Sequence, residues 1–367
     1  MSKKTDETVK MLNAWLDILI KYKGTDLHVK SNAPIRARLK GAIKRITDDR
    51  VSDDNMKNLL LLLMDNKANI SNLDEMDFDG TYMHSKAYRF RVHIYKHYSG
   101  YSINFRLIPQ DIKTIEELNL PTSLHKLAKL ERGLVLITGT TGSGKSTLLA
   151  SIIEEINRHT HKHIITIEDP IEYIYNDKHC IIEQREIGSH TPSFSNALRA
   201  SMREDPDVIV VGEIRDLATA ESILQAASTG HLVFSTVHTL DAKETIERMI
   251  SIFPTEEQNR VRTTLAATLE AIISQRLVKG INNQMLPAVE LMYKSPLIQE
   301  LIRQKRDDEI IDVLAKEGHS FGTQTFNQSL YHLIVSGKIS EKIGFQYATS
   351  PSDLKLMLSL SEEYTKH

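Results

Sequence analysis

Short runs of β-branched and leucine residues recur through the middle of the chain, each closed by a polar or glycine position: GLVLITG from Gly133, HIITIED from His163, DVIVVGE from Asp207 and HLVFSTVH from His231. After the first run the period changes, and Leu148, Leu149, Ile152, Ile153 and Ile156 recur at helical spacing. Strands apolar on both faces, alternating with amphipathic helices, predict a parallel sheet covered by helices. Residues before 109 read differently. VKMLNAWLDILIKYK is interrupted by Asn13, Asp17 and Lys21 while Leu12, Trp15, Leu16 and Leu19 share one face, which predicts an amphipathic helix packed on its own domain. DLHVKSNAPIRARLKGAIKRI alternates around a turn, and YRFRVHIYKHYSGYSINFRLIP predicts a hairpin turning near Ser99 and Gly100. After Gly280 the pattern is mostly helical, with breaks at Pro296, Gly318 and Gly337. The expected organisation is a smaller α+β domain over 1–108, a linker over 109–121 and an α/β domain over 122–367 ending in helices.

Composition narrows the class. A chain of 367 residues with 41% hydrophobic and 26% charged residues is globular and long enough for two cores. Lys and Arg total 46 against 48 Asp and Glu, a net charge of -2, which is a poor footprint for a nucleic-acid partner. Cys180 is alone, so no internal disulfide forms and a reducing compartment is expected. The longest apolar run, Leu59 to Met64, falls far short of the ~20 residues that span a bilayer. No small-residue cleavage site follows the first helix, which argues against a signal peptide.

The chemistry begins at TGTTGSGKST. The spacing Gly139-x4-Gly144-Lys145-Ser146 is that of a phosphate-binding loop. Its segment Gly139, Thr140, Thr141, Gly142, Ser143, Gly144, Lys145, Ser146 and Thr147 supplies inward-pointing N–H groups, a cation for the β- and γ-phosphates and a hydroxyl for Mg²⁺. ATP with Mg²⁺ is the expected ligand. Glu213 closes a hydrophobic strand, where a carboxylate can hold the hydration shell of Mg²⁺ or orient water; the position before it, commonly Asp in such enzymes, is Gly212. TIEDPIEY offers Glu168, Asp169 and Glu172 around Pro170, at the strand edge where open α/β sheets bind ligands. Attack of water on a γ-phosphate needs a carboxylate to take its proton or fix it; Glu172 is the first choice and Glu168 the reserve. His231 and His238 flank one strand, roughly 23 Å apart, too far to share a metal. His238 is placed to sense the γ-phosphate, and His231 to tie loops together. The alternating His159, His161 and His163 lack a matching acid pair and read as solvated residues rather than a metal tract.

The phosphate loop, TIEDPIEY, DPDVIVVGEIRD and TGHLVFSTVHT stand in the order and spacing of the secretion-superfamily ATPases, as their Walker A, Asp box, atypical Walker B and His box. Within these the chain resembles the pilus-retraction branch of PilT and PilU type, since GTDLHV, RFRV and FRLIP resemble the N-terminal domain of that branch. The resemblance implies a PAS-like domain followed by a RecA-like P-loop ATPase domain. It also implies a catalytic Glu172, a Walker B Glu213 ligating Mg²⁺ with Ser146, and His-box residues His231, at the nucleotide, and His238. Arg91 and Arg106 match arginine fingers that reach the γ-phosphate. A homohexameric ring is implied, cytoplasmic and peripheral to the inner membrane at the pilus base. Its implied partners are the inner-membrane platform protein and a paralogous retraction ATPase. One departure concerns a C-terminal AIRNLIRE segment of principal retraction motors, which here reads LIQELIRQ and keeps Leu301, Ile302 and Arg303. The end of the chain resembles the accessory paralogue at least as well, so both roles stand open. Competing readings are an assembly or secretion ATPase, a DNA translocase on the same core, and a regulatory module that binds ATP without turnover. The single cysteine rules out the tetracysteine motif of the first, the near-zero charge disfavours the second, and the intact Lys145, Glu172 and Glu213 disfavour the third.

Overall fold

The computed structural model describes residues 3–39, 41–64, 77–84, 88–108 and 111–364. The chain divides into two compact units, Met1–Asp111 and Ile112–His367. Pro109 and Gln110, the first residues of the expected linker, lie outside the described residues.

The first unit contains α1 (Lys3–Lys21), β1 (Asp26–Lys30), β2 (Pro34–Leu39), β3 (Ala42–Arg50), α2 (Asp53–Leu63), β4 (Phe78–Met83), β5 (Arg89–His97) and β6 (Gly100–Leu107). Its sheet runs β3-β2-β1-β6-β5-β4, with every adjacent pair antiparallel. Leu12, Leu16 and Leu19 of α1 are buried with Leu59 and Leu60 of α2 against Leu27, Val29, Phe90, Val92 and Phe105, the inward positions of the strands. Alternation sends the other residues to the opposite face. The β5–β6 hairpin pairs His97 with Gly100 and therefore Arg91 with Arg106. The expected hairpin forms with Tyr98 and Ser99 at its turn, and Gly100, which opens β6, takes φ +125°, a conformation that a side chain resists.

The second unit contains β7 (Gly133–Thr138), α3 (Lys145–His159), β8 (His163–Glu168), β9 (Ile181–Glu186), α4 (Phe194–Ser201), β10 (Val208–Val211), α5 (Leu217–Ser228), β11 (Leu232–Val237), α6 (Ala242–Ser251) and α7 (Gln258–Thr268). Then come β12 (Leu269–Lys279), β13 (Met285–Tyr293), α8 (Pro296–Gln304), α9 (Ile310–Lys316), α10 (Gly318–Phe321), α11 (Phe326–Val335), α12 (Glu341–Tyr347) and α13 (Pro351–Tyr364). Strand order is β13-β12-β7-β11-β10-β8-β9. The strands from β12 to β9 are parallel, and β7, β10 and β11 are buried at every position, as expected for a sheet covered on both faces.

Two strands correct the sequence reading. The region after Gly280 opens not with helix but with β13, which pairs antiparallel with β12 from Ala271↔Tyr293 to Lys279↔Met285. Asn283 at φ +60° turns the hairpin. Gln275 and Arg276 make β12 look interrupted in sequence, yet both side chains find partners. Gln275 is buried beneath the phosphate loop. Arg276 lays its guanidinium 3.8 Å from the centre of the Phe326 ring and donates to the Tyr347 carbonyl at 3.0 Å. A separate core formed by Val278, Leu286, Ala288, Phe326, Leu330 and Leu354 packs the terminal helices onto this hairpin.

Candidate active site

Parallel strands put all their carboxyl ends at one edge of a sheet, and the register here makes those ends level: Val237 pairs with Thr138, Val211 with Ser235 and Ile167 with Val211. The loops leaving β7, β8, β10 and β11 therefore meet. They line a cleft of about 530 Å³ with Thr141, Gly142, Gly144, Lys145, Ser146, Thr147, Glu168, Asp169, Glu172, Glu213 and His238 among its walls. Residues as far apart in sequence as Thr141 and His238 are gathered at one edge. Leucines and isoleucines of α3, 0–8% exposed, anchor the helix against the sheet and leave its N-terminus facing the cleft. Helix N-termini favour anions, and here the cap is Gly144 in the left-handed region at φ 90°.

Lys145 is buried, and its ammonium donates to the carbonyls of Gly139 at 2.7 Å and Thr140 at 3.1 Å. Burial lowers its pKa below that of an ordinary lysine, and the charges of Glu213 and Glu172 work against the shift. His238 stands between two groups, with Nδ1 3.5 Å from Lys145 Nζ and Nε2 3.3 Å from Glu213 Oε2. Glu213 also pairs with Arg215, whose guanidinium lies 3.6 Å from Asp169. A continuous polar chain thus runs Lys145–His238–Glu213–Arg215–Asp169.

The two candidate bases differ in what occupies them. Glu168 accepts from Thr166 at 2.6 Å, from Gln184 at 3.1 Å and from the Glu172 N–H at 3.3 Å. Burial raises its pKa, and the neighbouring Glu172 charge adds to the rise. The Glu172 carboxylate is exposed in the cleft and takes no hydrogen bond or ion pair among the described residues. Tyr173, next in sequence, holds Thr147 at 2.8 Å through its hydroxyl.

Of the expected site residues in this unit, Gly139, Thr140, Ser143 and His231 do not line the cleft. His231 precedes β11, at the opposite edge of the sheet, where its Nδ1 meets the Ala226 carbonyl at 3.1 Å and the Thr229 hydroxyl at 3.2 Å. The length of β11 separates it from the cleft, which leaves it the loop-tying part and sets it away from the nucleotide position expected for it. Arg91 and Arg106 belong to the first unit. Arg106 Nε donates to Asp26 at 2.8 Å, and Arg91 lies 3.6 Å from Asp79. Burial works to raise the Asp26 pKa, but hydrogen bonds from Thr25 and Arg106, with the Arg106 charge, outweigh it and lower the pKa.

The three tract histidines have separate partners: Glu155 for His159, the stacked ring of His179 for His161, and the Asp205 carbonyl for His163. Cys180 is buried, its thiol set against the Ile156 and Thr160 carbonyls. Sequence reasoning passed over Arg215, Tyr173, Gln184 and Gln275. The first two stand inside quoted motifs, one residue or two from a singled-out acid. Gln184 and Gln275 carry no local signal, because only the folded sheet brings them to the site.

The sequence matches the family model described as Type II/IV secretion system protein over residues 2–324. It is 38% identical over 333 residues to the type IV pilus retractation ATPase PilT of Pseudomonas aeruginosa, covering 91% of this chain and 96% of that protein. With the type IV pilus ATPase PilU of the same organism it shares 35% identity over 349 residues, 95% of this chain and 91% of the relative. A crystal structure of the pilus retraction motor PilT with bound ADP aligns at a TM-score of 0.87 and 38% identity, covering 94% of this chain and 98% of that one.

Proposed function

The chain belongs to the Type II/IV secretion system protein family, and from that premise we propose that it is a motor of type IV pilus retraction, driven by ATP hydrolysis at the cleft of its second unit. It is an ATP-hydrolysing enzyme with an α/β fold that binds nucleotide. The observation that carries the assignment of the site is the convergence of Lys145, Glu172, Glu213 and His238 on one strand edge.

In the proposed mechanism Lys145 leaves the Gly139 and Thr140 carbonyls to meet the β- and γ-phosphates, exchanging weak neutral acceptors for anionic ones. The oxygen donors Ser146 and Glu213 fit a hard cation bound with one or two protein ligands, and Mg²⁺ held there would neutralise charge on the phosphate oxygens. Glu172, whose carboxylate takes no hydrogen bond among the described residues, accepts the proton of the attacking water, while Glu168, already accepting three hydrogen bonds, shapes the loop that presents it. His238 touches both Lys145 and Glu213, so a γ-phosphate arriving between them is felt at the end of β11. Arg91 and Arg106 are cross-strand partners on one sheet face and act as fingers, at least one of them toward a neighbouring subunit. The working form is a homohexamer on the cytoplasmic side of the inner membrane, engaging the platform protein of the pilus and, as a further partner, a paralogous retraction ATPase. Among the described residues no helix is long and apolar enough to cross a membrane.

Of the departing segment, Leu301 and Ile302 of α8 are buried while Arg303 faces outward, so what it retains is largely core. Deleting the gene in its host and scoring surface pili and twitching tests the role. Hyperpiliated, non-motile cells are expected for the principal motor. Partial motility would assign the accessory role, and unchanged pili with unchanged twitching would overturn retraction altogether.

A further inference from the structure

β12 runs beside the phosphate-loop strand and carries no motif, yet one of its side chains holds the loop. Gln275 is 4% exposed, and its Nε2 donates to the Ser143 carbonyl at 2.7 Å. The reverse orientation of the amide would set two acceptors face to face, so the contact itself fixes which atom is the nitrogen. The 143–144 peptide is trans, and in a trans peptide the carbonyl and the N–H point in opposite directions. Anchoring the Ser143 carbonyl on β12 therefore turns the Gly144 N–H away from β12. Gly144 lines the cleft, so that N–H is one of the loop's donors for a phosphate.

From this geometry we infer that Gln275 is a positioning residue for phosphate recognition, orienting the Ser143–Gly144 peptide so that the loop is formed before nucleotide arrives. The inference rests on the reading of residues 139–147 as the phosphate site. The loop glycines are fitted to the same residue. A Cβ on Gly144 would lie 2.6 Å from Gln275 Nε2, and one on Gly139 would lie 2.5 Å from the Gln275 carbonyl oxygen. Both glycines have positive φ, so the loop is moulded against β12 in a backbone shape that side chains resist. Gln275 Oε1 is buried without a hydrogen-bond partner among the described residues. An amide kept in place by one of its two ends fits a residue retained for that one bond rather than for a balanced network.

The test separates phosphate recognition from general stability. Gln275→Met keeps the length and removes the donor; the full-length variant and wild type are titrated with ADP and with AMP. Removing one hydrogen bond to the loop should weaken ADP binding about five- to tenfold while AMP affinity stays within about twofold. In turnover the loss should fall on KM for ATP rather than on kcat, because the loop contacts the phosphates in ground state and transition state alike. ADP affinity unchanged from wild type would overturn the proposal, as would an equal loss for ADP and AMP. Lys145→Ala is run alongside: if it binds ADP as tightly as wild type, the loop is not the phosphate site and the fault lies with that reading. Should Gln275→Met fail to fold, Gln275→Glu keeps the shape and turns an acceptor toward the Ser143 carbonyl. It should show the same selective loss of ADP affinity, partly recovered at acid pH when the carboxyl can donate. An ADP affinity equal to wild type at neutral pH, or no recovery at acid pH, would overturn the proposal in that variant too.

Discussion

The two sheets of this chain are covered differently, and their charged residues follow the covering. In the N-terminal unit α1 and α2 pack on one face, and the other face carries a cross-strand row Arg38–Asp26–Arg106–Arg91 over four neighbouring strands. In the C-terminal unit both faces are buried, and the chemistry is confined to the edge where the parallel strands end. Two strand carboxylates show the difference. Asp26 is held below the usual carboxylate range because Thr25 and Arg106 reach it on an open face, against the opposing pull of burial. Glu290 of β13 lies under α6, is 2% exposed and accepts from the Ala242 N–H at 2.9 Å. Burial pushes it up to about 7, and the nearby Asp241 charge adds to the rise while the Ala242 bond and Arg276 oppose it. An open sheet face tolerates charge and can present it; within the covered sheet a mid-strand charge such as Arg276 is held by specific partners, and a mid-strand carboxyl such as Glu290 is pushed toward its neutral form.

The sharpest way to break the comparison is at the covered sheet's edge. Lys145→Ala should reduce Mg²⁺-dependent ATP turnover to background and weaken nucleotide binding, whereas Glu172→Gln should lose turnover as completely while ADP affinity stays within about threefold. Glu172→Gln that still turns over, with Glu168→Gln dead, would move the base to Glu168. Next in size is the open face. Arg106→Ala and Arg91→Ala should each lower turnover, by about 10³ where the arginine stabilises transition-state charge. Arg91 is half-exposed and its partner Asp79 is exposed, so Arg91→Ala should keep the melting temperature, whereas Arg106→Ala removes a partner of Asp26 and should lower it slightly. Near-wild-type turnover in both variants would leave the open face without a catalytic part.

The smallest effect concerns the covered interior. A carboxyl raised from 4.5 to about 7 in the folded state favours folding at low pH, and that contribution is lost as pH rises between those values, on the order of 3 kcal/mol in all. Glu290→Gln keeps an acceptor for Ala242 and cannot ionise. It should flatten the decline in stability between pH 5 and pH 8 and melt higher than wild type at pH 8. An unchanged pH slope would mean that Glu290 is not charged at a cost in the native protein.

How much of this was legible in sequence depended on whether a residue's partner lay nearby. The runs at Gly133, His163, Asp207 and His231 could be read because strands buried on both faces need apolar residues at each position, and the motifs close those same strands. The β5–β6 hairpin was legible from its alternation, but its turn falls at Tyr98 and Ser99, and that register is what pairs Arg91 with Arg106. β12 and β13 were missed because Gln275, Arg276 and Glu290 break the apolar pattern, and each is accommodated only by a partner distant in sequence: Ser143, Tyr347 and Ala242. His231 was tied to the nucleotide by its motif, but the direction of β11 sets it at the far end from His238. Glu172 was ranked ahead of Glu168 in the sequence, but the physical difference between them, occupancy of Glu168 by Thr166 and Gln184, shows only in the fold.

β12 holds the phosphate loop through Gln275, and the adjacent Arg276 grips the terminal helices at Phe326 and Tyr347. Hydrogen bonds to β7 and β13 run along both sides of the strand. A strand gripped at consecutive residues acts as a taut cord between two fixtures, so strain applied at one end has no slack in which to dissipate. Any force applied to the terminal helices would reach the loop that cradles phosphate through this one strand. A motor wired this way would register load where it holds fuel.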